Sequence, residues 1–158
     1  PQGKRFTQDI ARELAACGHI AIICGRYEGV DERIRTVLAT EAYSVGDYVL
    51  SGGELPALVM VDAIARHLPG VLGWEEAVEQ DSFADGLLDF PQYTRPRSFM
   101  GAEVPRVLLD GDGTAIAHWR HRQRLERTRR WRADLWASRK VTMDDLRTLA
   151  VPEMAARF

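Results

Sequence analysis

Ser44-Val45-Gly46-Asp47-Tyr48-Val49-Leu50-Ser51-Gly52-Gly53-Glu54-Leu55-Pro56 is the stretch whose reading decides the fold. Tyr48-Val49-Leu50 is a short β-prone run, bracketed by Gly46 and by the Gly52-Gly53 pair, where backbone bends freely. Glu54-Leu55-Pro56 then opens an apolar helix, with proline in the first turn, where a missing N–H costs nothing. A strand, a glycine turn and a helix start with outward-facing N–H groups make a corner suited to a ligand that lies against backbone. An ordinary strand-to-helix connection has the same composition, so the flanking chain has to decide.

Upstream, Phe6 to Ala16 reads as a helix with Thr7 as N-cap and Gly18 ending it. Ile20-Ala21-Ile22-Ile23-Cys24 is a continuous apolar run of the kind found in strands buried on both faces. Gly25-Arg26-Tyr27-Glu28-Gly29-Val30-Asp31 is a loop leading into a helix from about Asp31 to Leu38, and Tyr43 to Leu50 carries the next strand. Leu55 to about Leu68 is the helix that closes this half. The order of helix, strand, loop, helix, strand, helix predicts an α/β layer on a parallel sheet, whose ligands sit outside the carboxyl ends of the strands. Both glycine loops fall at that edge.

Pro69-Gly70 stops the closing helix, and the stretch from Gly70 to about Gln80 reads as a linker. Asp81 to Pro105 is turn-rich, Asp110-Gly111-Asp112-Gly113 makes a turn, and Thr114 can cap a long basic helix. The final helix takes Thr142 as N-cap, Asp145 at the third position, and a Val141–Leu146 staple. The predicted organisation is an α/β unit over 1–70, a linker over 71–80 and a small, mostly helical unit over 81–158.

At 158 residues with 46% hydrophobic content the chain suits one domain or two small ones, and its longest apolar run, Leu55 to Val61, is too short to cross a bilayer. Cys17 and Cys24 form neither a zinc pattern nor a CxxC motif, so reduced thiols and a cytoplasmic setting are expected. The net charge of −2 hides an asymmetry. Glu41 to Phe90 holds ten acidic residues against Arg66 alone, whereas His118 to Lys140 holds nine basic residues against Glu126 and Asp134. A polyanionic partner for the second half is therefore compatible with an acidic whole-chain pI.

Neither glycine loop matches GxxxxGK[ST] or G-x-G-x-x-G, which argues against a phosphate cradle and for an uncharged or zwitterionic ligand held by backbone and tyrosine. Arg66, in an acidic neighbourhood, either pairs with Asp62 one turn back or faces an anion that develops in a reaction. Asp81, first after the linker, either caps a turn or acts as a general base over a neighbouring pocket. Glu28 and Asp89 are weaker candidates. Asp110 to Gly113 starts like a calcium loop but places His121 where the bidentate glutamate belongs, and His118 with His121 lacks the partners of a zinc site. Both histidines belong with the basic face Trp119 to Arg132, whose arginines, Arg120, Arg122, Arg124, Arg129 and Arg130 among them, point to phosphate contact. Trp119, Trp131 and Trp136 are expected to serve as core.

With these pieces in place, the sequence resembles the bacterial tRNA (guanine-N1)-methyltransferases of the trefoil-knotted SPOUT class. The resemblance rests on Cys24 to Arg33, Ser44 to Pro56, Pro69 to Gly73, Asp81-Ser82-Phe83, Gly86 to Asp89 and Tyr93-Thr94-Arg95-Pro96, in order along the chain. It implies S-adenosylmethionine held bent in the knot by Gly25, Tyr27, Glu28 and Gly29, by Ser44, Val45, Gly46, Asp47, Tyr48, Val49 and Leu50, and by Gly52, Gly53 and Pro56. It implies methyl transfer to N1 of the guanosine 3′-adjacent to a tRNA anticodon (position 37). Asp81 would remove the N1 proton and Arg66 would stabilise charge on the base oxygen. Glu28 and Asp89 would lie near the methionine end of the cofactor, where magnesium is implicated. A homodimer with an active site shared between subunits is implied, with the basic unit, Arg95 included, holding the tRNA. Family members carry a further half-domain before the residue matching Pro1, so the expectation is a fragment with an incomplete pocket, an unpaired sheet edge and a shallower knot or none. Two other readings follow: a non-catalytic tRNA-binding fragment, and a ribose 2′-O-methyltransferase of the same class, against which the presence of both Arg66 and Asp81 speaks.

Overall fold

The computed structural model describes residues 1–73 and 77–150. Residues 74–76, part of the expected linker, and 151–158 lie outside the described residues. The chain separates into two compact units, Pro1–Val78 and Glu79–Phe158.

The first unit is mixed α/β. Strand β1 (Lys4–Arg5) pairs parallel with β2 (Tyr43–Ser44), Lys4 opposite Tyr43 and Arg5 opposite Ser44. The ladder approaches so closely that a Cβ on Gly3 would stand 2.5 Å from the Tyr43 carbonyl carbon, so only glycine fits there. After Phe6 the chain turns into helix α1 (Gln8–Ala15), where the Thr7 hydroxyl accepts from the Ile10 N–H as expected of an N-cap. Helix α2 (Glu54–Ala65) packs on α1, and Ala11, Met60 and Ile64 form a small core lined by Phe6, Leu14, Tyr43 and Val45. Yet α2 is apolar nearly all round: Leu55, Leu58, Val59 and Val61 are exposed, a pattern that belongs to a helix buried on every side.

Three expectations for this unit are corrected. Ile20 to Cys24 is in no strand, and Ile20, Ile22 and Ile23 are exposed. An apolar run becomes a strand only where a neighbour satisfies its N–H and C=O groups, and none of the described residues pairs with it. The strand expected over Tyr43 to Leu50 stops at Ser44, because its neighbour β1 ends at Arg5 and the Phe6 N–H closes the ladder on the Ser44 carbonyl at 2.8 Å. The helix expected from Asp31 to Leu38 is wound as a π-helix over Ile34–Leu38, a form that leaves the Ala39 N–H on the Ile34 carbonyl.

A short helix, α3 (Ala77–Gln80), falls in the expected linker. The second unit then holds an antiparallel pair, β3 (Ser98–Phe99) with β4 (Ala102–Glu103), a 3₁₀ turn at Arg106–Leu108, and helices α4 (Gly113–Trp131), α5 (Ala133–Ser138) and α6 (Met143–Ala150). The cap of α4 is Asp112, not Thr114: its carboxylate accepts from the Thr114 and Ala115 N–H groups at 2.9 and 3.1 Å. A carboxylate outperforms a hydroxyl here because it also carries charge at the positive end of the helix. At α6 the capping box forms as read, with Thr142 N–H on the Asp145 carboxylate at 2.9 Å and Asp145 N–H on the Thr142 hydroxyl at 3.1 Å.

Asp145 does more than cap. It is buried, and it also accepts from Arg139 at 3.0 Å and meets His121 Nε2 at 3.1 Å, so His121 faces α6 rather than the basic surface. Burial pushes the Asp145 carboxyl up, but the Thr142 N–H and hydroxyl together with Arg139 outweigh it and hold the group at about 2. The unfolded chain titrates nearer 3.8, so Asp145 favours the native state above that pH and the contribution disappears as pH falls towards about 2. Replacement Asp145→Ala strips Arg139 and Thr142 of their partner, and denaturant unfolding should show a loss of about 3 kcal/mol. An acid titration of the wild type should lose stability between about pH 4 and 2, a step that a variant lacking the carboxylate does not show.

Candidate functional site

In the first unit two glycine loops meet. The Gly53 N–H donates to the Gly25 carbonyl at 2.8 Å, and Arg26 bridges to Gly52. A Cβ on Gly53 would stand 2.9 Å from Cys24 Cα and 3.1 Å from Gly25 N, so this approach requires glycine. Arg26 Nε then donates to Glu54 Oε1 at 2.5 Å, joining the first loop to the start of α2. That hydrogen bond raises the guanidinium and lowers the carboxyl, but the pair is open to water and contributes little stability.

Beyond Arg26 the loop projects. Tyr27 adopts φ 56° and Gly29 φ 112°, and the Gly29 N–H closes the turn on the Arg26 carbonyl at 3.0 Å. Tyr27 is almost wholly exposed at the tip, beside exposed Glu28. On the second stretch Ser44 is buried, and its hydroxyl donates to the Gly46 carbonyl at 3.1 Å while lying 3.4 Å from the Gly46 N–H. This local turn leads the chain out of the sheet. Val45 and Gly46 are half-buried, Asp47, Tyr48, Val49 and Leu50 are exposed, and Gly52, Gly53 and Pro56 are half-buried at the start of α2. Arg66 is the C-cap of α2, with its N–H on the Asp62 carbonyl at 3.3 Å, about 18 Å of helix away from Glu54.

In the second unit Asp81 and Asp89 sit on one folded loop. Asp89 N–H donates to the Ser82 hydroxyl at 2.9 Å, and Phe83 N–H to the Leu87 carbonyl at 2.8 Å. The loop is fixed to α4: Leu87 is fully buried with Leu125, Leu88 N–H donates to the Thr128 hydroxyl at 2.8 Å, and Asp85 takes a two-pronged bond from Arg124 at 2.6 and 3.1 Å. The Asp89 carboxylate accepts from Phe90 N–H at 2.7 Å and from Gln92 at 3.1 Å, and Asp81 is half-buried.

The arginines of the basic helix differ in their surroundings. Arg124 is committed to Asp85 and Arg122 to Glu126, whereas Arg129 and Arg130 are exposed, and Arg120 lies 4.5 Å over the Phe90 ring. Arg95 is exposed in the segment before β3. Trp131, expected as core, is instead largely exposed beneath Arg127, whose guanidinium is 4.7 Å from the ring centre. Among the described residues no group of three or more histidine, cysteine, aspartate or glutamate side chains converges to hold a metal, and no helix is long and apolar enough to cross a membrane.

Two features escaped the sequence reading. The Arg26–Glu54 bond was visible only as two opposite charges, each beside a glycine and 28 residues apart. The aromatic residues Phe90, Tyr93 and Trp119 line a groove of about 610 Å³ in the second unit, and nothing in their spacing announced that they meet.

The chain thus combines a mixed α/β unit, in which two glycine loops meet, with an arginine-rich helical unit. The chain belongs to the tRNA (guanine-1)-methyltransferase TrmD family, whose sequence model matches residues 1–138. It is 58% identical over 149 residues to the tRNA (guanine-N(1)-)-methyltransferase of Moorella thermoacetica, 57% over 149 to that of Staphylococcus carnosus and 52% over 153 to that of Geobacter sulfurreducens. These matches cover 94%, 94% and 97% of this chain but 60%, 61% and 62% of the relatives, so the chain spans about three-fifths of their length.

The loop junction yields a direct check. Gly53→Ala must push backbone against backbone and should destabilise the first unit by about 2 kcal/mol in urea unfolding. Gly18→Ala, where an added Cβ meets nothing within 4 Å, should stay within about 0.5 kcal/mol of wild type.

Proposed function

We propose that this chain carries the cofactor loops and the tRNA-holding unit of an S-adenosylmethionine-dependent tRNA (guanine-N1)-methyltransferase acting on the guanosine 3′-adjacent to the anticodon. The observation that carries the reading is the backbone junction of the Gly25 and Gly53 loops, inside the span that the family covers. In this reading residues 1–70 are the later part of a SPOUT domain, knotted in the whole protein, 71–80 is a linker, and 81–158 holds tRNA in the cytoplasm.

The residues fit the cofactor. Gly25, Tyr27, Glu28 and Gly29 on one loop, Ser44 to Leu50 on the other, and Gly52, Gly53 and Pro56 at the helix start offer backbone groups and an apolar strip. Glu28 and Asp47 supply negative charge suited to a sulfonium, and Asp89 is assigned to the methionine end. When bound, S-adenosylmethionine supplies an electrophilic methyl group and leaves as a neutral thioether. Glu28 and Asp89 are the carboxylates that would face a magnesium ion near the methionine end.

Guanine N1 carries a proton and is a poor nucleophile until that proton is removed. Asp81 would accept it, leaving the N1 electron pair free for the methyl group that the bound cofactor would supply. Negative charge delocalises onto the base oxygen as the proton leaves, and Arg66 opposes it. Asp81 and Arg66 belong to different units of this chain. A homodimer in which the loops of one subunit face the aspartate of its partner accommodates that division, and the exposed apolar side of α2 supports association. Arg95, Arg120, Arg122, Arg124, Arg129 and Arg130 face or order the path of the tRNA backbone. A second reading, a tRNA-binding fragment without catalysis, is favoured by one observation: Ile20 to Cys24, which leads into the first loop, is paired to no strand among the described residues.

Calorimetric titration with S-adenosylmethionine, alone and with a tRNA bearing guanine at the target position, separates the two. Binding followed by N1 methylation supports the enzyme; retention of tRNA without cofactor binding supports the fragment. In the first case Asp81→Asn should reduce transfer by about a hundredfold or more while cofactor affinity holds. Affinity for tRNA should fall with rising salt, and Arg129→Ala should lower the log–log slope by about one. A slope unchanged by that substitution removes Arg129 from the tRNA path.

A further inference from the structure

We propose that the groove between the segment from Phe90 to Arg97 and the first turns of α4 receives one unpaired nucleotide of the bound RNA, its base stacked on aromatic rings and its phosphate held by arginines. This rests on the tRNA reading above and assigns it a specific seat. The groove measures about 610 Å³, within the size range of about 300–1,000 Å³ typical of small-ligand sites. Its aromatic side is Phe90, Tyr93 and Trp119, with the Tyr93 and Trp119 rings 6.3 Å apart and tilted by 53°. Its charged side is Arg95, Arg97 and Arg120, and among the described residues no carboxylate lines it. Arg95 and Arg97 make no ion pair among the described residues, and Arg120 is spread over the Phe90 ring at 4.5 Å instead of meeting an acid.

This combination selects its occupant. Three unneutralised guanidiniums beside rings repel a cationic ligand such as S-adenosylmethionine and attract a phosphate. The rings can stack only on a base whose face is free, which a duplex denies and a loop nucleotide offers. Arg120 belongs both to the groove and to the arginine face of α4, so a strand tracking that face leads into it. Tyr93, about half exposed at 47%, has ring surface open to an incoming base.

The test uses the whole 158-residue chain and a fluorescein-labelled anticodon stem-loop RNA, compared with the same RNA carrying abasic loop nucleotides, by fluorescence anisotropy. Tyr93→Ala should weaken stem-loop binding about tenfold, while Tyr93→Phe keeps it. Abasic substitution at the seated nucleotide should cost wild type the same factor and cost Tyr93→Ala nothing further. If Tyr93→Ala binds the intact stem-loop as wild type does, with salt-sensitive affinity retained, the groove assignment is overturned and the tRNA reading stands. If wild type binds no stem-loop at all, the tRNA reading fails and the groove falls with it. Displacement of the stem-loop by millimolar guanosine monophosphate would make the groove a free-nucleotide site and also overturn the proposal. Should Tyr93→Ala prove unfolded by circular dichroism, photocrosslinking of a 4-thiouridine stem-loop to wild type decides instead: adducts within 90–97 support the seat, and adducts only elsewhere refute it.

Discussion

A single backbone hydrogen bond, from the Gly53 N–H to the Gly25 carbonyl, is the contact on which the first unit's site depends. It brings together chain segments that belong to no common sheet among the described residues, and it requires that Gly53 carry no side chain to hold Cys24 and Gly25 away. Once the loops touch, Arg26 reaches Glu54 and the start of α2 is set, with Met60 and Ile64 carried onto α1. The core beneath is small: Ala11, Met60 and Ile64 are its buried members, too few to position two loops by packing alone. Backbone contact substitutes for side-chain packing, and a site made of backbone groups is what remains.

The second unit solves the same problem with buried polar groups. Thr128 is fully buried, donates to the Arg124 carbonyl at 2.7 Å and accepts from Leu88 N–H, so a helix position and a loop position share one oxygen. Because a buried hydroxyl without partners is costly, this exchange fixes the register of the Asp81–Asp89 loop along α4 more strictly than Leu87 against Leu125 can. Asp145 performs the equivalent service for α6, tying its first turn to Arg139 and His121. The placement of the loop that carries Asp81 therefore depends on Thr128, forty residues further along the chain from Leu88.

The sequence was most legible where structure is decided within a few residues. The Thr7 cap, the Thr142–Asp145 capping box and the helix opening at Glu54 depend on neighbours in the chain, and each formed. It was least legible where the outcome needs a distant partner. Ile20 to Cys24 has every local mark of a strand, but strand pairing is not a local property. Tyr48 to Leu50 likewise had the propensity and lacked the ladder. The cap fell two residues earlier than expected, on Asp112 rather than Thr114, an offset that composition does not fix. As for the candidate site, the glycines of both loops were readable as turn residues, whereas their contact was not. The meeting of Tyr93 with Trp119, 26 positions on, left no trace at all in the spacing of either.

Charge shows the same limit in a form that bears on function. Counting places nine basic residues between His118 and Lys140, and the count invites an evenly basic helix. The structure divides them. Arg122, Arg124, Arg132 and Arg139 are engaged with Glu126, Asp85, Asp134 and Asp145, acids that lie partly outside the counted stretch. An arginine bound bidentately to a carboxylate has its directed donors occupied, so it orders structure more than it attracts a phosphate. Those resting on aromatic rings, Arg120 on Phe90 and Arg127 on Trp131, keep their full charge and lose little freedom when an anion arrives. The charge left open on this helix is that of Arg120 and Arg127 on their rings and of the exposed Arg129 and Arg130, and Trp131, read from sequence as core, lies at the surface beneath Arg127.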